Sequence, residues 1–199
     1  MGIQSLGEEV GEEVNGAIID YFRGNKDAIK DFFDIDKPIA RSQKKYNEGN
    51  IPFIASGNYN NGVLAFYEPH KNDPIDKGNC ITVSPIDGST FYQPNDFLGR
   101  GGAGSSILIL RNDNLNYRRG LFLVTIMRRI FAKYTYVDAL NSTIIKEEKL
   151  LLPVTDDDSP DWDKMEAYIE NIEEIRYGLG VVGARAAADD YRAVVSSVL

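Results

Sequence analysis

Residues 149–175 read KLLLPVTDDDSPDWDKMEAYIENIEEI, and the pattern of apolar side chains changes within this stretch. The apolar run at 149–154 is typical of a strand, whereas the residues after Pro160 repeat at helical spacing. Ser159 is predicted to be the N-cap of this helix, with Pro160 as the first helical residue and Asp161 in a first turn that favours anions. The chain is therefore expected to leave a sheet and enter a helix at this point.

The apolar residues of this helix form one narrow stripe, with glutamates on the other side. A stripe about one helix wide is typical of a helix that pairs with another helix. The stripe consists of Met165, Tyr168, Ile169, Ile172 and Ile175. The chain's own N-terminal helices, its tail helix or a second copy would each cover it. Acidic residues flank the stripe on both arms, and we expect a second copy, which makes a homodimer.

The region 34–153 has a mixed pattern. One longer stretch, 115–133, is predicted to be a helix that is buried on most of its faces. Short apolar runs bounded by Gly, Asn and Pro are predicted to be strands, at 51–55, 63–67, 80–84, 90–92, 107–111, 134–137, 143–145 and 149–154. One helix among many short strands predicts an α/β (α+β) fold with an irregular, curled mixed sheet and an inserted helix, rather than a doubly wound sheet.

Helical arms are predicted on both sides of this region. Residues 5–33 carry a loose apolar stripe that breaks at Gly24, after which Asn25 is predicted to cap a short second helix through Ile29. The alanine-rich segment 184–199 is predicted to be another helix. The expected organisation is an N-terminal helical arm at 1–33, a central domain at 34–155 and a C-terminal helical arm at 156–199.

Charge is distributed unevenly along the chain. Residues 37–153 contain 15 basic and 10 acidic side chains, a net of +5, although the whole chain has a formal net charge of −8. Because phosphate binding responds to the local field, the basic middle suits a nucleic-acid partner. The alternative is that the acidic ends are solvated helix faces and that the distribution has no function.

The sequence also bears on the cellular compartment. The longest apolar run, 120–127, is far shorter than the ~20 residues that a membrane span needs, and the N-terminus does not resemble a secretory signal. Cys80 is the single cysteine and cannot form an internal disulfide, which fits a reducing cytoplasm. We expect a cytoplasmic protein in which Cys80 is a packed core thiol.

The residues that catalysis or metal binding would need are mostly missing. One histidine, His70, and one cysteine cannot build a zinc site of the usual kind, and His70 is expected in a surface loop. The glycine-rich run 99–104 lacks a P-loop ending, so it is either a tight turn or a loop that approaches a phosphate. Nuclease and adenine methyltransferase motifs do not occur, and a hydrolase that uses Asp87 and Asp96 is the least favoured alternative. The chain is predicted to be non-catalytic, with no metal and no cofactor.

Polar and aromatic loops remain, and they suit nucleic-acid recognition. Residues 41–47 (RSQKKYN) combine basic, amide and aromatic side chains, and residues 56–62 (SGNYNNG) offer amides that can pair with adenine. Asn-Gly sequences are also ordinary hairpin turns, so both interpretations of 56–62 stay open. The residues predicted to contact the DNA backbone are Arg41, Lys44, Lys45, Arg100 and Lys133. The residues predicted to contact bases are Tyr46, Asn58, Tyr59, Asn60, Asn61 and Gln93.

Several segments resemble the DNA specificity (S) subunits of type I, and related type IIB, restriction-modification systems. The matching signatures are YNEGNIPFIAS at 46–56, NNG at 60–62, KGNCITVS at 77–84, DGSTFYQ at 87–93, KY at 133–134, KLLLPV at 149–154, PDW at 160–162 and MEAY at 165–168. The similarity covers roughly residues 35–176, and its closing segment is the most specific part.

This resemblance implies a target recognition domain that reads one half of a bipartite site in double-stranded DNA, and a helix that pairs with a second half. It also implies a role in host defence without catalysis, with docking onto a methyltransferase (modification) subunit and, in some systems, a restriction subunit. A full S subunit carries two such domains, so this chain resembles a half-length form. The alternative is a non-catalytic protein–protein adaptor that keeps the same fold and has lost DNA binding.

Overall fold

The computed structural model of the 199-residue chain describes residues 26–39, 41, 43–102, 106–134 and 140–178. The chain divides into two compact units, Asp27–Leu150 and the remainder, which consists of Met1–Lys26 and Leu151–Leu199. The predicted helix before Gly24, the predicted helix at 184–199 and most of the predicted strand at 134–137 lie outside the described residues.

Short strands make up most of the elements between residues 26 and 151. In chain order the elements are β1 (Lys26–Ala28), α1 (Ile29–Phe32), β2 (Asp34–Asp36), a 3-10 turn (Gln43–Lys45), β3 (Glu48–Ile54), a 3-10 turn (Asn60–Gly62), β4 (Val63–Tyr67), β5 (Cys80–Val83), β6 (Thr90–Gln93), β7 (Leu98–Gly99), β8 (Leu108–Arg111), α2 (Tyr117–Phe131), α3 (Ser142–Glu147) and β9 (Lys149–Leu151). Helix α4 (Trp162–Gly178) belongs to the second unit.

The unit Asp27–Leu150 contains a four-stranded sheet and a three-stranded sheet. One has the strand order β2-β8-β5-β6, and all of its neighbouring strands are antiparallel. The other has the order β4-β3-β7, in which β3 pairs antiparallel with β4 and parallel with β7. A further two-stranded sheet joins β1 and β9. The predicted fold class, an irregular mixed sheet with an inserted helix, is confirmed.

The centre of the larger sheet is buried on both faces. All four residues of β5 are buried, and in the register Ile81 lies between Leu110 of β8 and Tyr92 of β6. Continuous apolar runs of this kind are typical of strands that are covered on both sides. Cys80 is fully buried here, and burial raises the pKa of its thiol to about 12. The predicted core thiol is confirmed, and it stays protonated at physiological pH.

Helix α2 packs against β6 and β5. It begins at the N-cap Asn116, whose side chain accepts a hydrogen bond from a main-chain N–H of the first turn. Gly120 allows Tyr92 to pack closely, because a Cβ atom at Gly120 would lie 2.2 Å from the Cδ2 atom of Tyr92. The helix predicted at 115–133 is confirmed, and it is two residues shorter at each end.

Residues 143–145 lie in helix α3, so the strand predicted there is wrong. The Asn141 side chain accepts hydrogen bonds from the main-chain N–H groups of Thr143 and Ile144, at 2.9 and 3.1 Å. This N-cap satisfies donors that are otherwise unpaired at the start of a helix. Local capping thereby overrides the strand preference of the β-branched side chains.

The structure also differs from the prediction that Asn25 caps a helix through Ile29, which is wrong. Lys26–Ala28 forms a strand, and the one-turn helix α1 begins at Ile29 with Ala28 in the cap position. The extended backbone of β1 follows from its pairing with β9.

Helix α4 begins at Trp162, two residues later than predicted. The Asp161 carboxylate accepts a hydrogen bond from the main-chain N–H of Lys164 at 2.9 Å, so Asp161 is the N-cap. The predictions of Ser159 as the N-cap and Pro160 as the first helical residue are wrong. Pro160 instead pairs in an extended bridge, and Ser159 lies in the turn that leads to it.

The apolar stripe of α4 is partly covered by the chain itself. Met165 is fully buried and Ile169 is 9% exposed, whereas Tyr168 and Ile172 are half-buried. The side chain of Ile175 lies outside the described residues. Pairing of this stripe with a second copy stays a prediction, and it would involve the half-buried members.

Candidate nucleic-acid interface

Residues 56–62, called the amide loop below, connect β3 to β4 through a left-handed turn. The φ angles of Asn60, Asn61 and Gly62 are 48°, 54° and 76°. The main-chain N–H of Gly62 donates to the carbonyl oxygen of Tyr59 at 2.9 Å and closes the turn. Positive φ at both central residues is typical of a type I′ hairpin turn, and asparagine tolerates this backbone better than other residues with a side chain. The segment is therefore a well-defined hairpin turn.

The tip of the amide loop presents polar and aromatic groups to solvent. Tyr59 is 85% exposed, and Asn58, Asn60 and Asn61 are exposed as well. Amide groups can donate to and accept from one base edge at the same time, and an aromatic ring can stack on a base. The hairpin turn thus brings four of the predicted base-contacting residues together.

Gln93 supports the amide loop from beneath. It is 4% exposed, and its Nε2 atom donates to the carbonyl oxygen of Asn61 and to the Oγ1 atom of Thr82, both at 3.0 Å. Its Oε1 atom accepts from the Nδ2 atom of Asn61 at 3.2 Å. The structure therefore places this predicted base contact in the interior, where it positions the loop.

Arg100 lies beside the amide loop because β3 and β7 are parallel. Ile54 pairs with Gly99 in the register, and the main-chain N–H of Arg100 donates to the carbonyl oxygen of Ile54 at 2.8 Å. Parallel strands run in one direction, so the chain leaves both strands at the same edge of the sheet. The half-buried Arg100 side chain thus starts next to the first residues of the loop.

A second arginine, which the sequence analysis did not place in the site, adjoins the loop from helix α2. The guanidinium carbon of Arg128 lies 4.4 Å from the centre of the Phe91 ring, and its Nε atom donates to the carbonyl oxygen of Thr90 at 2.7 Å. One of its terminal nitrogens is 3.4 Å from the Oδ1 atom of Asn58. The sequence signal for this arginine is the basic pair Arg128-Arg129 in an otherwise apolar helix. Phe91, on which Arg128 stacks, is 37 residues away along the chain.

Lys44 and Lys45 lie at the other end of β3. Both are exposed and belong to the 3-10 turn that precedes this strand. The seven residues of β3 separate them from the amide loop by about 20 Å, at ~3.3 Å per residue. That distance corresponds to roughly six base pairs of duplex at ~3.4 Å each. Lys44 and Lys45 are therefore a second group of candidate contacts, separate from the amide loop.

Tyr46 is held by its neighbours. Its ring stacks on the ring of His70 with the centroids 4.6 Å apart, and its hydroxyl donates to the Oδ2 atom of Asp73 at 2.6 Å. Burial, together with this hydrogen bond, raises the pKa of Tyr46 to about 12. The same bond holds the pKa of Asp73 below its usual value. Tyr46 is thus a neutral side chain that ties the loop at 70–73 to the start of β3.

Arg41 is an internal residue. Its side chain is 1% exposed, and one terminal nitrogen donates to the Oδ2 atom of Asp76 at 2.9 Å and to the carbonyl oxygen of Gly99. The other terminal nitrogen donates to the carbonyl oxygen of Pro74. Asp76 also accepts from the main-chain N–H of Gly99 at 2.8 Å. Arg41 therefore joins three segments of the chain, and its charge is compensated inside the protein.

Lys133 follows the end of α2 and pairs with an acidic residue. Its Nζ atom is 2.9 Å from the Oε2 atom of Glu148, and this hydrogen bond raises the pKa of Lys133. The Tyr134 hydroxyl donates to the other oxygen of the same carboxylate. Of the residues predicted to contact the DNA backbone, Arg41 and Lys133 form ion pairs within the protein. The candidate phosphate contacts that remain are Lys44, Lys45 and Arg100.

The described residues contain neither a candidate metal centre nor a candidate membrane span. Among residues 26–39, 41, 43–102, 106–134 and 140–178, no group of His, Cys, Asp or Glu side chains is arranged to hold a metal ion. In that same part of the chain, the helices are too short or too polar to cross a membrane.

The sequence is similar to specificity subunits of restriction-modification systems. The family model described as type I restriction modification DNA specificity domain matches residues 25–177. A curated relative, the specificity subunit S.BcgI of a type II restriction enzyme from Heyndrickxia coagulans, is 31% identical over 153 residues, which are 73% of this chain and 42% of that protein.

Two solved structures have a similar fold. The HsdS subunit from Thermoanaerobacter tengcongensis has a TM-score of 0.52 at 15% identity, covering 97% of this chain and 52% of that one. A structure concerned with complex assembly and conformational transition of the type I R-M system has a TM-score of 0.50 at 18% identity, covering 96% and 52%. Such low identities show the shared fold alone. This chain spans about half the length of the relatives that it matches.

Proposed function

The chain belongs to the family of type I restriction modification DNA specificity domains, and we propose that it recognises one part of a double-stranded DNA target for partner enzymes. DNA target recognition is the role of this family. The observation that carries the proposal for this chain is the exposed amide loop, which a left-handed turn and buried Gln93 hold in a fixed shape, with Arg100 at its base and Arg128 next to Asn58.

In this proposal Asn58, Tyr59 and Asn60 face base edges, and Asn61, whose Nδ2 atom donates to Gln93, anchors the loop. Rigid presentation matters because a loop that is already ordered loses less conformational entropy when it binds. Arg100, which lies beside the first residues of the loop, contacts a nearby phosphate, while Lys44 and Lys45 contact phosphates about six base pairs away. Gln93, Arg41 and Tyr46 position these groups without touching DNA.

We further propose the partners and the setting. The domain, at about 34–155, works in the cytoplasm and docks, through its flanking arms, onto a methyltransferase subunit and in some systems a restriction subunit. Because one domain reads few base pairs, selectivity against a genome needs a second domain. A second copy of this chain, or another half-subunit paired along α4, supplies it, and with two copies the target is palindromic with a fixed spacer.

Selection of duplexes from a random-sequence pool by the purified chain tests this function. We expect enrichment of one short sequence. Affinity for the enriched duplex should fall with salt, with a log–log slope of about −3 if three cations contact phosphates. The absence of measurable affinity for any duplex would overturn the proposal and favour the protein–protein adaptor instead. Measurable affinity for duplex DNA without enrichment of any sequence would mean that the chain binds DNA non-specifically, which would overturn sequence recognition.

A further inference from the structure

The guanidinium group of Arg128 is fixed in one orientation by two neighbours, Phe91 and Thr90, and Asn58 lies close to it. The Phe91 ring lies beneath it, with 4.4 Å between the guanidinium carbon and the ring centre. The Thr90 carbonyl oxygen accepts from Nε at 2.7 Å, and the Oδ1 atom of Asn58 is 3.4 Å from Nη2. A stacked arginine with a bonded Nε has already lost most of its rotational freedom. Its terminal edge is therefore preorganised.

This terminal edge is available to a ligand. The Arg128 side chain is exposed, and no carboxylate lies within ion-pair distance of it in the described part of the chain. Nη1 makes no hydrogen bond to the described residues, and the contact of Nη2 with Asn58 is long for a hydrogen bond. Two parallel N–H groups thus remain, next to the exposed tip of the amide loop.

We propose that Arg128 reads a guanine, with Nη1 and Nη2 donating to the O6 and N7 atoms of that base in the major groove. This inference rests on the proposed DNA-reading function. The two parallel N–H groups match the two adjacent acceptors of guanine. None of the other three bases presents two adjacent acceptors in the major groove. Asn58 and Arg128 then read neighbouring positions, because the side chain of one contacts that of the other. Phe91 acts as a positioning residue, since it holds the guanidinium plane without reaching the base.

Single-atom changes in the DNA test this reading. In the duplex that the wild-type chain enriches, each guanine is replaced in turn by 7-deazaguanine, which lacks the N7 acceptor. We expect one replacement to weaken wild-type binding several-fold and to leave the binding of Arg128→Met unchanged, because the methionine side chain has no hydrogen-bond donor. Arg128→Met itself should bind the enriched duplex about 10- to 100-fold more weakly, and a repeated selection should lose the guanine at that position.

Two further variants separate base reading from folding and from charge. Arg129→Ala removes the adjacent, exposed arginine of the same helix and should leave the enriched sequence unchanged. Phe91→Leu keeps Arg128 but removes its platform, and it should weaken binding at the same guanine by a smaller factor. Circular dichroism and thermal unfolding of each variant report whether the fold is retained.

The outcomes distinguish this inference from the function on which it rests. If the wild-type chain enriches a sequence but every 7-deazaguanine replacement is equally tolerated, or if the enriched sequence lacks guanine, the guanine reading is overturned and the DNA-reading function stands. If Arg128→Met lowers the affinity for every duplex sequence by the same factor, Arg128 contacts a phosphate and the inference is overturned. If the wild-type chain binds no duplex, both fail together.

Discussion

Asn61 and Gln93 bind each other through two hydrogen bonds that run in opposite directions. The Asn61 Nδ2 atom donates to the Gln93 Oε1 atom at 3.2 Å, and the Gln93 Nε2 atom donates to the Asn61 carbonyl oxygen at 3.0 Å. The two residues are 32 positions apart, one in the turn after β3 and one at the end of β6. This pair connects the exposed loop of one sheet to a buried strand of the other, and it makes the shape of the loop depend on the core.

Replacement of Gln93 by leucine should destabilise the fold and weaken recognition at every base position. It leaves the Asn61 carbonyl oxygen and the Thr82 hydroxyl without their buried donor, which costs about 1–3 kcal/mol. Urea denaturation followed by circular dichroism measures this loss. Asn95→Ala, an exposed amide two residues away, is the matched control, with an expected change within ~0.5 kcal/mol. Loss of preference at a single base with full stability would instead mean that Gln93 contacts DNA.

Replacement of Gly62 by alanine should destabilise the amide loop. At φ 76° a side chain costs roughly 1–2 kcal/mol, and the added Cβ atom would lie 3.3 Å from Ile54 Cγ2. The free energy of unfolding should fall by about that amount, and DNA affinity should fall with it. Asn60→Gly, which keeps the left-handed backbone without a side chain, should leave stability within ~0.5 kcal/mol. An equal loss of stability in Gly62→Ala and Asn60→Gly would contradict the explanation by positive φ at Gly62.

Replacement of Arg41 by methionine should cost about 3–5 kcal/mol of stability, because Asp76 then keeps a charge without its partner in a mostly buried site. Chemical denaturation measures this cost. The double change Lys44→Met and Lys45→Met removes two exposed charges of the neighbouring turn, so stability should stay within ~0.5 kcal/mol while the salt slope of DNA binding flattens by about two. A stable Arg41→Met protein with a flatter salt slope would show that Arg41 contacts phosphate.

Replacement of Tyr46 by phenylalanine should raise the pKa of Asp73 toward the usual aspartate value of 3.8, because the hydroxyl that lowers it is gone. The lowered pKa of the folded state stabilises the wild type above pH 3.8, and this stabilisation is lost as the pH falls through the folded-state pKa. The free energy of unfolding of the wild type should therefore exceed that of the variant by ~1 kcal/mol at pH 7, and part of this difference should be lost at acid pH. NMR titration of the Asp73 carboxyl and unfolding at two pH values measure both effects. An unchanged Asp73 titration would contradict the assignment.

Replacement of Asp161 by alanine should destabilise α4 by about 0.5–2 kcal/mol, since its carboxylate is the N-cap. Ser159→Ala should have a smaller effect, because Ser159 lies in the preceding turn. Thermal unfolding of both variants, with the helical signal as the readout, compares them. A larger loss in Ser159→Ala would restore the N-cap that the sequence alone predicts.

Local patterns predicted much of this fold. The strand at 63–67 was predicted with its observed bounds, and the helix at 115–133 contains α2 entirely, because apolar periodicity and turn residues act over short distances. The error at 143–145 has a local cause as well, since the Asn141 cap outweighs β-branched residues. The two-residue strand β7 is too short to have a pattern, and its parallel pairing with β3 depends on packing far along the chain.

The candidate site was harder to predict, because exposure is a property of the folded chain. Arg41 and Lys44 are nearly adjacent in a basic segment, yet one guanidinium is internal and one ammonium is exposed. Gln93 follows an apolar run, and only the fold shows that it faces the back of the amide loop. Arg128 could not be predicted from the sequence, because the ring on which it stacks belongs to a distant strand.

The pairing of β1 with β9 has a consequence for inheritance. The unit Asp27–Leu150 is entered through Lys26–Ala28 and left through Lys149–Leu151, and these two strands are neighbours in one small sheet. A unit whose two ends meet can be cut out and replaced without moving what precedes or follows it. Recombination between related genes at these two points would exchange the entire unit as a cassette, so that a new target is acquired in one genetic event while the sequence on either side is kept.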